Sequence, residues 1–72
     1  MTPERLAHMA NQIAGFFAAY GRDQAIEGIA DHLQKFWEPR MRRALLAQVA
    51  GGAAGLDPLV IAAADRLEKP AA

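Results

Sequence analysis

The chain has 72 residues, no cysteine, and eight basic side chains against eight acidic ones, so its formal net charge is zero. This length allows one small domain, residues 1–72, and such a domain buries only about 60% of the surface that its unfolded chain exposes. Disulfides and thiolate metal sites are excluded by the lack of cysteine, and a dedicated nucleic-acid module would be distinctly basic. We therefore expect a protein partner to supplement the stability of this domain.

The first predicted helix covers about residues 3–20. Thr2 is the expected N-cap, Pro3 suits the first helical position, and Gly21 is placed to end the helix. Apolar residues recur at helical spacing along one side, at Leu6, Met9, Ala10, Ile13, Phe16, Phe17 and Tyr20. The second half of this helix is apolar or small all round, which predicts burial on two sides.

The second predicted helix covers about residues 24–37, with Asp23 as its expected N-cap. Asp31 and Lys35 are spaced to form an ion pair on its polar side. Gly28 lies inside this helix, where glycine costs about 1 kcal/mol relative to alanine. Close approach by a neighbouring helix is the expected reason for a glycine at this position.

The third predicted helix, about residues 39–50, begins at Pro39. Proline forces the preceding residue, Glu38, into an extended conformation, as an N-cap requires. The second and third helices are therefore joined almost without a connection, and Gly51 follows the end of the third helix.

The fourth predicted helix covers about residues 58–68, with Asp57 as N-cap and Pro58 at the first position. Its LVIAAA segment is apolar around the whole circumference, which predicts cover on more than one side. Residues 69–72 are expected to be a frayed tail. The sequence thus predicts an all-α fold, a small bundle of about four short helices.

The sequence predicts neither a secretion signal in MTPERLAHMA nor a membrane-spanning helix. MTPERLAHMA lacks a basic segment followed by an apolar one. No window approaches the roughly 20 apolar residues that a membrane-spanning helix needs. These observations predict a cytoplasmic protein.

The residues needed for catalysis or metal binding are scarce. His8 and His32 are the only histidines, and no serine or cysteine is present to act as a nucleophile. The glycines at 51, 52 and 55 lack the lysine and hydroxyl residue of a phosphate-binding loop. We therefore expect no catalytic site, no cofactor site and no metal site in this chain.

The HLQKFWEPRMRR stretch at residues 32–43 is the strongest candidate for partner binding, because tryptophan and arginine are enriched at the energetic centres of interfaces. Each cation in the first turn of a helix is disfavoured by roughly 0.3–1 kcal/mol, so an acidic or carbonyl-rich partner surface would stabilise Arg40, Arg42 and Arg43. The alternatives are that these arginines face water and that Trp37 belongs to the core of the domain. The candidate residues here are His32, Phe36, Trp37, Pro39, Arg40 and Arg42.

Asn11 and Gln12 are two further candidates, placed beside Met9 and Ile13 on the first helix. They form either an interhelical or intersubunit hydrogen-bonding pair, or two solvated amides.

Three blocks of sequence together resemble the delta subunit of soluble NAD-dependent formate dehydrogenases. They are MANQIAGFF, IADHLQKFWEPRMR and GLDPLVIAAA. The resemblance spans roughly residues 5–67, and its most specific part is the run KFWEPRM at residues 35–41. Arg43 has no family role that we can assign.

The resemblance implies a cytoplasmic complex that oxidises formate to carbon dioxide and reduces NAD. A catalytic alpha subunit would carry a molybdenum (or tungsten) pyranopterin and iron–sulfur clusters, and beta and gamma subunits would carry FMN and further clusters. The delta subunit would be a non-catalytic accessory subunit without a cofactor of its own. It would dock on the alpha subunit and support its assembly, its stability or its retention of the molybdenum cofactor.

Two other functions remain open at this point. A small helical nucleic-acid-binding regulator could use the helix after Pro39 as its reader, although the charge balance disfavours it. A bundle that associates only with itself is the third hypothesis.

Overall fold

The computed structural model describes residues 2–67, which form a bundle of α-helices joined by short connections. The helices are α1 (Pro3–Phe17), α2 (Arg22–Phe36), α3 (Pro39–Ala50) and α4 (Pro58–Leu67), with a 3-10 turn at Ala18–Tyr20 between α1 and α2. No strand occurs in this part of the chain, which confirms the predicted all-α fold. The tail predicted at residues 69–72 lies outside the described residues, as does residue 68.

The starts of three helices confirm the predictions. The Thr2 hydroxyl accepts a hydrogen bond from the Arg5 backbone N–H at 3.2 Å. The Asp57 carboxylate accepts one from the Leu59 N–H at 2.8 Å. Glu38 precedes α3 in an extended conformation, with φ −65° and ψ 149°. The Thr2 and Asp57 side chains satisfy backbone donors that would otherwise lack a partner at the helix starts, whereas the Glu38 side chain makes no capping hydrogen bond.

The start of α2 differs from its prediction, and Asp23 as N-cap is wrong. The helix begins at Arg22, and Gly21 occupies the cap position with φ 93°. Glycine adopts such a positive φ without the steric penalty of a side chain, and the Gly21 carbonyl accepts a hydrogen bond from the Ala25 N–H at 2.8 Å. Asp23 instead lies in the first turn of α2, where its negative charge suits the helix dipole.

The core lies mainly between α2 and α4, which share the most extensive helix–helix interface of the described chain. Its largest fully buried side chains are Ile29, Leu33, Leu45 and Val60. Several alanines without any exposed surface let the helices approach closely: Ala10, Ala14, Ala25, Ala63 and Ala64. Helices α1 and α3 close the bundle around this centre.

The two helices predicted to be covered on more than one side behave differently. In α4 no residue from Leu59 to Ala64 is exposed, which confirms the prediction. In α1 the prediction is wrong for this chain alone, because Gly15, Phe16, Ala18 and Ala19 are exposed. The bundle therefore leaves an apolar and small-residue side of α1 in contact with solvent.

Helix α3 ends in a hydrogen-bonded Schellman motif. The Ala53 N–H donates to the Gln48 carbonyl at 2.9 Å, and the Gly52 N–H donates to the Val49 carbonyl at 3.3 Å. Gly52 has φ 124°, a conformation that favours glycine at this position. The chain is thereby turned from α3 towards the start of α4.

None of the helices within residues 2–67 has both the length and the apolar character required to cross a bilayer.

Gly28 leaves room on α2 for the Phe17 ring of α1. A Cβ at Gly28 would lie 2.5 Å from Cε1 of Phe17, whereas a Cβ at Gly15 would meet nothing within 4 Å. Gly28→Ala is expected to displace the Phe17 ring and to lower the free energy of unfolding by about 1 kcal/mol net, because overpacking outweighs the gain in helix propensity. Gly15→Ala, the matched control, is expected to raise it by about 0.5–1 kcal/mol. Urea denaturation measures both, and equal stabilisation by both variants would contradict the close approach.

Candidate functional site

Three aromatic side chains of residues 2–67 remain largely exposed. Phe16 is 69%, Tyr20 56% and Phe36 72% exposed. Single exposed apolar residues are ordinary, but a contiguous group on a small domain typically marks an interaction surface. The arrangement of these rings therefore decides whether they form one surface.

Phe16 and Tyr20 belong to a stripe along α1 and the turn that follows it. Met9, Ile13, Phe16 and Tyr20 are separated by four, three and four residues, a spacing that places side chains on one helix face. The Phe16 and Phe17 rings meet edge to face at a centroid distance of 5.1 Å, and those of Phe17 and Tyr20 lie 6.0 Å apart. The rings thus hold one another in place beside α2.

A groove between α1 and the end of α2 joins this stripe to Phe36. We call it the aromatic groove; it has a volume of about 410 Å³ and is lined by Met9, Gln12, Ile13, Phe16, Phe17, His32 and Trp37. The His32 ring packs against the Phe36 ring at a centroid distance of 4.9 Å. Among residues 2–67, no carboxylate, lysine or arginine lines the groove, so it suits an apolar side chain or helix face from another molecule.

Trp37 forms the part of this groove nearest the core. Its side chain is only 7% exposed and belongs to the buried cluster. Its backbone is extended, with φ −86° and ψ 139°, and this turns the indole inward directly after α2. The location agrees with the alternative that Trp37 belongs to the core of the domain, and contact between its exposed edge and a partner stays a prediction.

Arg42 is also engaged within the chain. One terminal nitrogen of its guanidinium donates to the Gln34 carbonyl at 3.2 Å, with the carbonyls of Leu33 and Trp37 also within hydrogen-bond reach. These carbonyls lie at the end of α2, where a cation is favoured by the helix dipole. The carbonyl-rich surface that the sequence analysis expected on a partner is thus present in this chain for Arg42.

Arg40 and Pro39 are exposed at the start of α3. Arg43 is exposed as well, and the ion pairs found within residues 2–67 involve other side chains. The predicted pair of Asp31 and Lys35 is confirmed at 3.3 Å. Of the three arginines of α3, Arg40 and Arg43 therefore remain available at the surface of the described chain.

Asn11 and Gln12 have different environments. The Asn11 amide donates to the Gly55 carbonyl at 2.8 Å, and its oxygen accepts from the Asp57 N–H at 2.9 Å. Asn11 therefore ties the loop before α4 to α1, whereas Gln12 is exposed and lines the aromatic groove. A similar tie, which the sequence did not reveal, runs from Gln48 Nε2 to the Pro3 carbonyl at 2.9 Å.

The residues present do not fit a metal ion or an iron–sulfur cluster. Clusters of this kind are held mainly by cysteine thiolates, and the chain has no cysteine. Within residues 2–67 no three His, Cys, Asp or Glu side chains converge. A second hollow of about 670 Å³, between α1 and the end of α3, contains only Glu4 and His8 as ionisable side chains.

The geometry thus brings Gln12, His32 and Phe36 to one surface, together with the unpredicted Phe16 and Tyr20. It places Trp37 beneath that surface and sets Pro39 and Arg40 at the start of the next helix. One feature of the sequence indicated that Phe16 and Tyr20 could be exposed. The first helix has more apolar residues than a single buried face can accommodate.

Comparison with known proteins gives one match. The model of the family described as NADH-dependent formate dehydrogenase delta subunit FdsD matches residues 5–64. No curated protein and no solved structure matches the chain.

Proposed function

The chain belongs to the family of NADH-dependent formate dehydrogenase delta subunits, and on this premise we propose that it is a non-catalytic accessory subunit of a formate dehydrogenase complex. The family match over residues 5–64 is the observation that carries this proposal. In the proposed complex, which is cytoplasmic, the chain docks on the catalytic alpha subunit and supports its assembly, its stability or its retention of the molybdenum cofactor.

The redox chemistry in this proposal resides in other subunits. The molybdenum (or tungsten) pyranopterin, the iron–sulfur clusters, FMN and the NAD site belong to the alpha, beta and gamma subunits. This assignment is supported by the donor set of the chain, which offers no cysteine for a cluster. The residues of this chain would contribute binding surface rather than reacting groups.

The aromatic groove supports docking as the physical role. Phe16 lines the groove, and Phe36 packs against His32 at its side. The two residues are 69% and 72% exposed, so burying them against a partner would remove a large apolar area from water. Because no carboxylate, lysine or arginine of residues 2–67 lines the groove, an apolar occupant would not have to displace water from such ions. We assign Phe16, Tyr20 and Phe36 as anchors, with Gln12 and His32 as polar contacts at their side.

The first test is affinity purification of the tagged chain from its native cytosol, followed by mass spectrometry. We expect recovery of a large formate dehydrogenase that contains molybdenum and iron. Recovery of nucleic acid, or of no defined partner, would contradict the proposal.

A variant pair tests the anchors directly. Phe36→Ala is expected to weaken binding to the purified alpha subunit about tenfold, because truncation of a central aromatic anchor typically costs more than about 1 kcal/mol. Gln34→Ala is the matched control: it is exposed on the same helix, two residues away and so on another face. Equal affinities of the two variants, measured by calorimetry, would remove Phe36 from the interface.

A further inference from the structure

A third hollow, distinct from the two described above, lies between the start of α1 and the outer side of α3. It has a volume of about 480 Å³, with Pro3 and Leu6 on one wall and Arg40, Met41, Ala44 and Ala47 on the other. Arg40, Ala44 and Ala47 follow the i, i+4, i+7 spacing of a single helix face, which Arg43 joins at i+3. We call this hollow the basic groove; its floor is apolar and its two alanines leave room for close approach.

The charge of the basic groove has one sign. Helix α3, Pro39–Ala50, contains three arginines and no acidic residue. Arg42 is directed to the carbonyls at the end of α2, whereas Arg40 and Arg43 are exposed and take no part in the ion pairs found within residues 2–67. Arg40 therefore lines an apolar hollow and Arg43 lies on the same helix face, and no carboxylate of residues 2–67 lines the hollow.

The position of Arg40 is unfavourable for the free helix. It is the second residue of α3, where the partial positive charge of the helix start repels a cation, and the Glu38 side chain makes no capping hydrogen bond there. A carboxylate from outside would interact favourably with both the helix start and the guanidinium groups. Arg40 would therefore be more stable beside a partner's carboxylate than in the free chain.

We propose that the basic groove binds an acidic amphipathic helix of the catalytic subunit, an inference that rests on the proposed function. Carboxylates of that helix pair with Arg40 and Arg43, and its apolar side packs against Leu6, Ala44 and Ala47. A second copy of this chain is a poor occupant, because a two-fold contact through this face would bring the arginines of both copies together. An acidic amphipathic helix offers carboxylates to the arginines and an apolar face to the floor of the groove.

The test measures binding to the purified catalytic subunit prepared without this chain. Arg40→Glu combined with Arg43→Glu is expected to weaken binding tenfold or more, and about 1.4 kcal/mol corresponds to tenfold. Salt is expected to weaken binding of the unmodified chain and to strengthen that of the variant, because it then screens a repulsion. Arg40→Lys combined with Arg43→Lys, the charge-conserving control, is expected to retain most of the affinity. Circular dichroism checks the fold, and a carboxylate at the helix start is expected to preserve it.

The occupant is identified by cross-linking. Because the chain has no cysteine, Ala47→Cys accepts a single photoactivatable label. We expect a cross-link to a segment of the catalytic subunit rich in aspartate and glutamate, and none from the same label at Gln24→Cys on α2. A cross-link from residue 47 to a segment without acidic residues, to a second copy or to nucleic acid would overturn the inference.

The two proposals fail in distinguishable ways. If the unmodified chain does not bind the catalytic subunit, the proposed function and this inference both fall. If it binds, and Phe36→Ala weakens binding while the double charge reversal does not, only the acidic occupant of the basic groove is refuted.

Discussion

Trp37→Ala is expected to lower the free energy of unfolding by about 3–5 kcal/mol, the usual loss when a buried tryptophan or phenylalanine is truncated. Trp37 is 7% exposed and belongs to the same buried cluster as Leu33 and Leu45. A domain of 72 residues has a total stability of about 4–11 kcal/mol, so the variant should be partly or wholly unfolded at room temperature. Thermal and urea unfolding followed by circular dichroism measure the effect.

Phe36→Ala is the matched control for this prediction. Phe36 directly precedes Trp37 and is 72% exposed, so its truncation should change the unfolding free energy by less than about 0.5 kcal/mol. Trp37→Ala should thus impair folding, whereas Phe36→Ala should impair partner binding and leave folding intact. If Trp37→Ala kept its full helix content and melting temperature while losing the partner, Trp37 would be an interface anchor rather than a core residue.

Arg42→Ala is expected to destabilise the chain by about 2 kcal/mol, within the range for hydrogen bonds from charged groups. The variant leaves the last carbonyls of α2 without the guanidinium that bonds to the Gln34 and Trp37 carbonyls. It also removes a cation from the negative end of the helix dipole. Urea denaturation monitored by circular dichroism gives the difference.

Arg43→Ala separates a loss of hydrogen bonds from a loss of charge. Both variants remove one positive charge from α3, but Arg43 is exposed and should change stability by less than about 0.5 kcal/mol. A similar destabilisation by the two variants would show that charge, and not the contact with α2, is responsible.

The helices were predictable because their signals are local. Thr2 and Asp57 cap helices through hydrogen bonds to residues two or three positions away, so neighbouring sequence is enough to recognise them. The start of α2 was missed for a related reason. Gly21 and Asp23 both suit a helix start, and the choice depended on a backbone turn with φ 93° that follows the 3-10 residues Ala18–Tyr20.

The candidate site was less predictable, because tertiary packing decides which of its residues are buried and which are exposed. The KFWEPRM run correctly indicated a region of unusual composition, and it supported the family resemblance. Its residue types do not show that Trp37 turns inward while Phe36 stays in water, or that Arg42 reaches back to α2. Those outcomes follow from the direction of the short link at Glu38, which only the folded chain defines.

The exposure of Phe16 and Tyr20 could not be predicted from the sequence either. Their spacing with Met9 and Ile13 is that of an amphipathic helix, and the sequence predicted burial on two sides for this half of the helix. In the folded chain α1 turns its inner face to the core through residues such as Ala10 and Ala14. The aromatic residues lie beside that face, and so they form the aromatic groove instead of filling the interior.

The dominance of the α2–α4 interface has a consequence for biosynthesis. Ile29 and Leu33 are covered largely by a helix that is translated last among the described elements. A ribosome adds about 5–20 residues per second, whereas a helix forms in about a microsecond. Each helix can therefore form soon after it has been synthesised, but the native packing of α2 is completed only when α4, the last of the described helices, has been added.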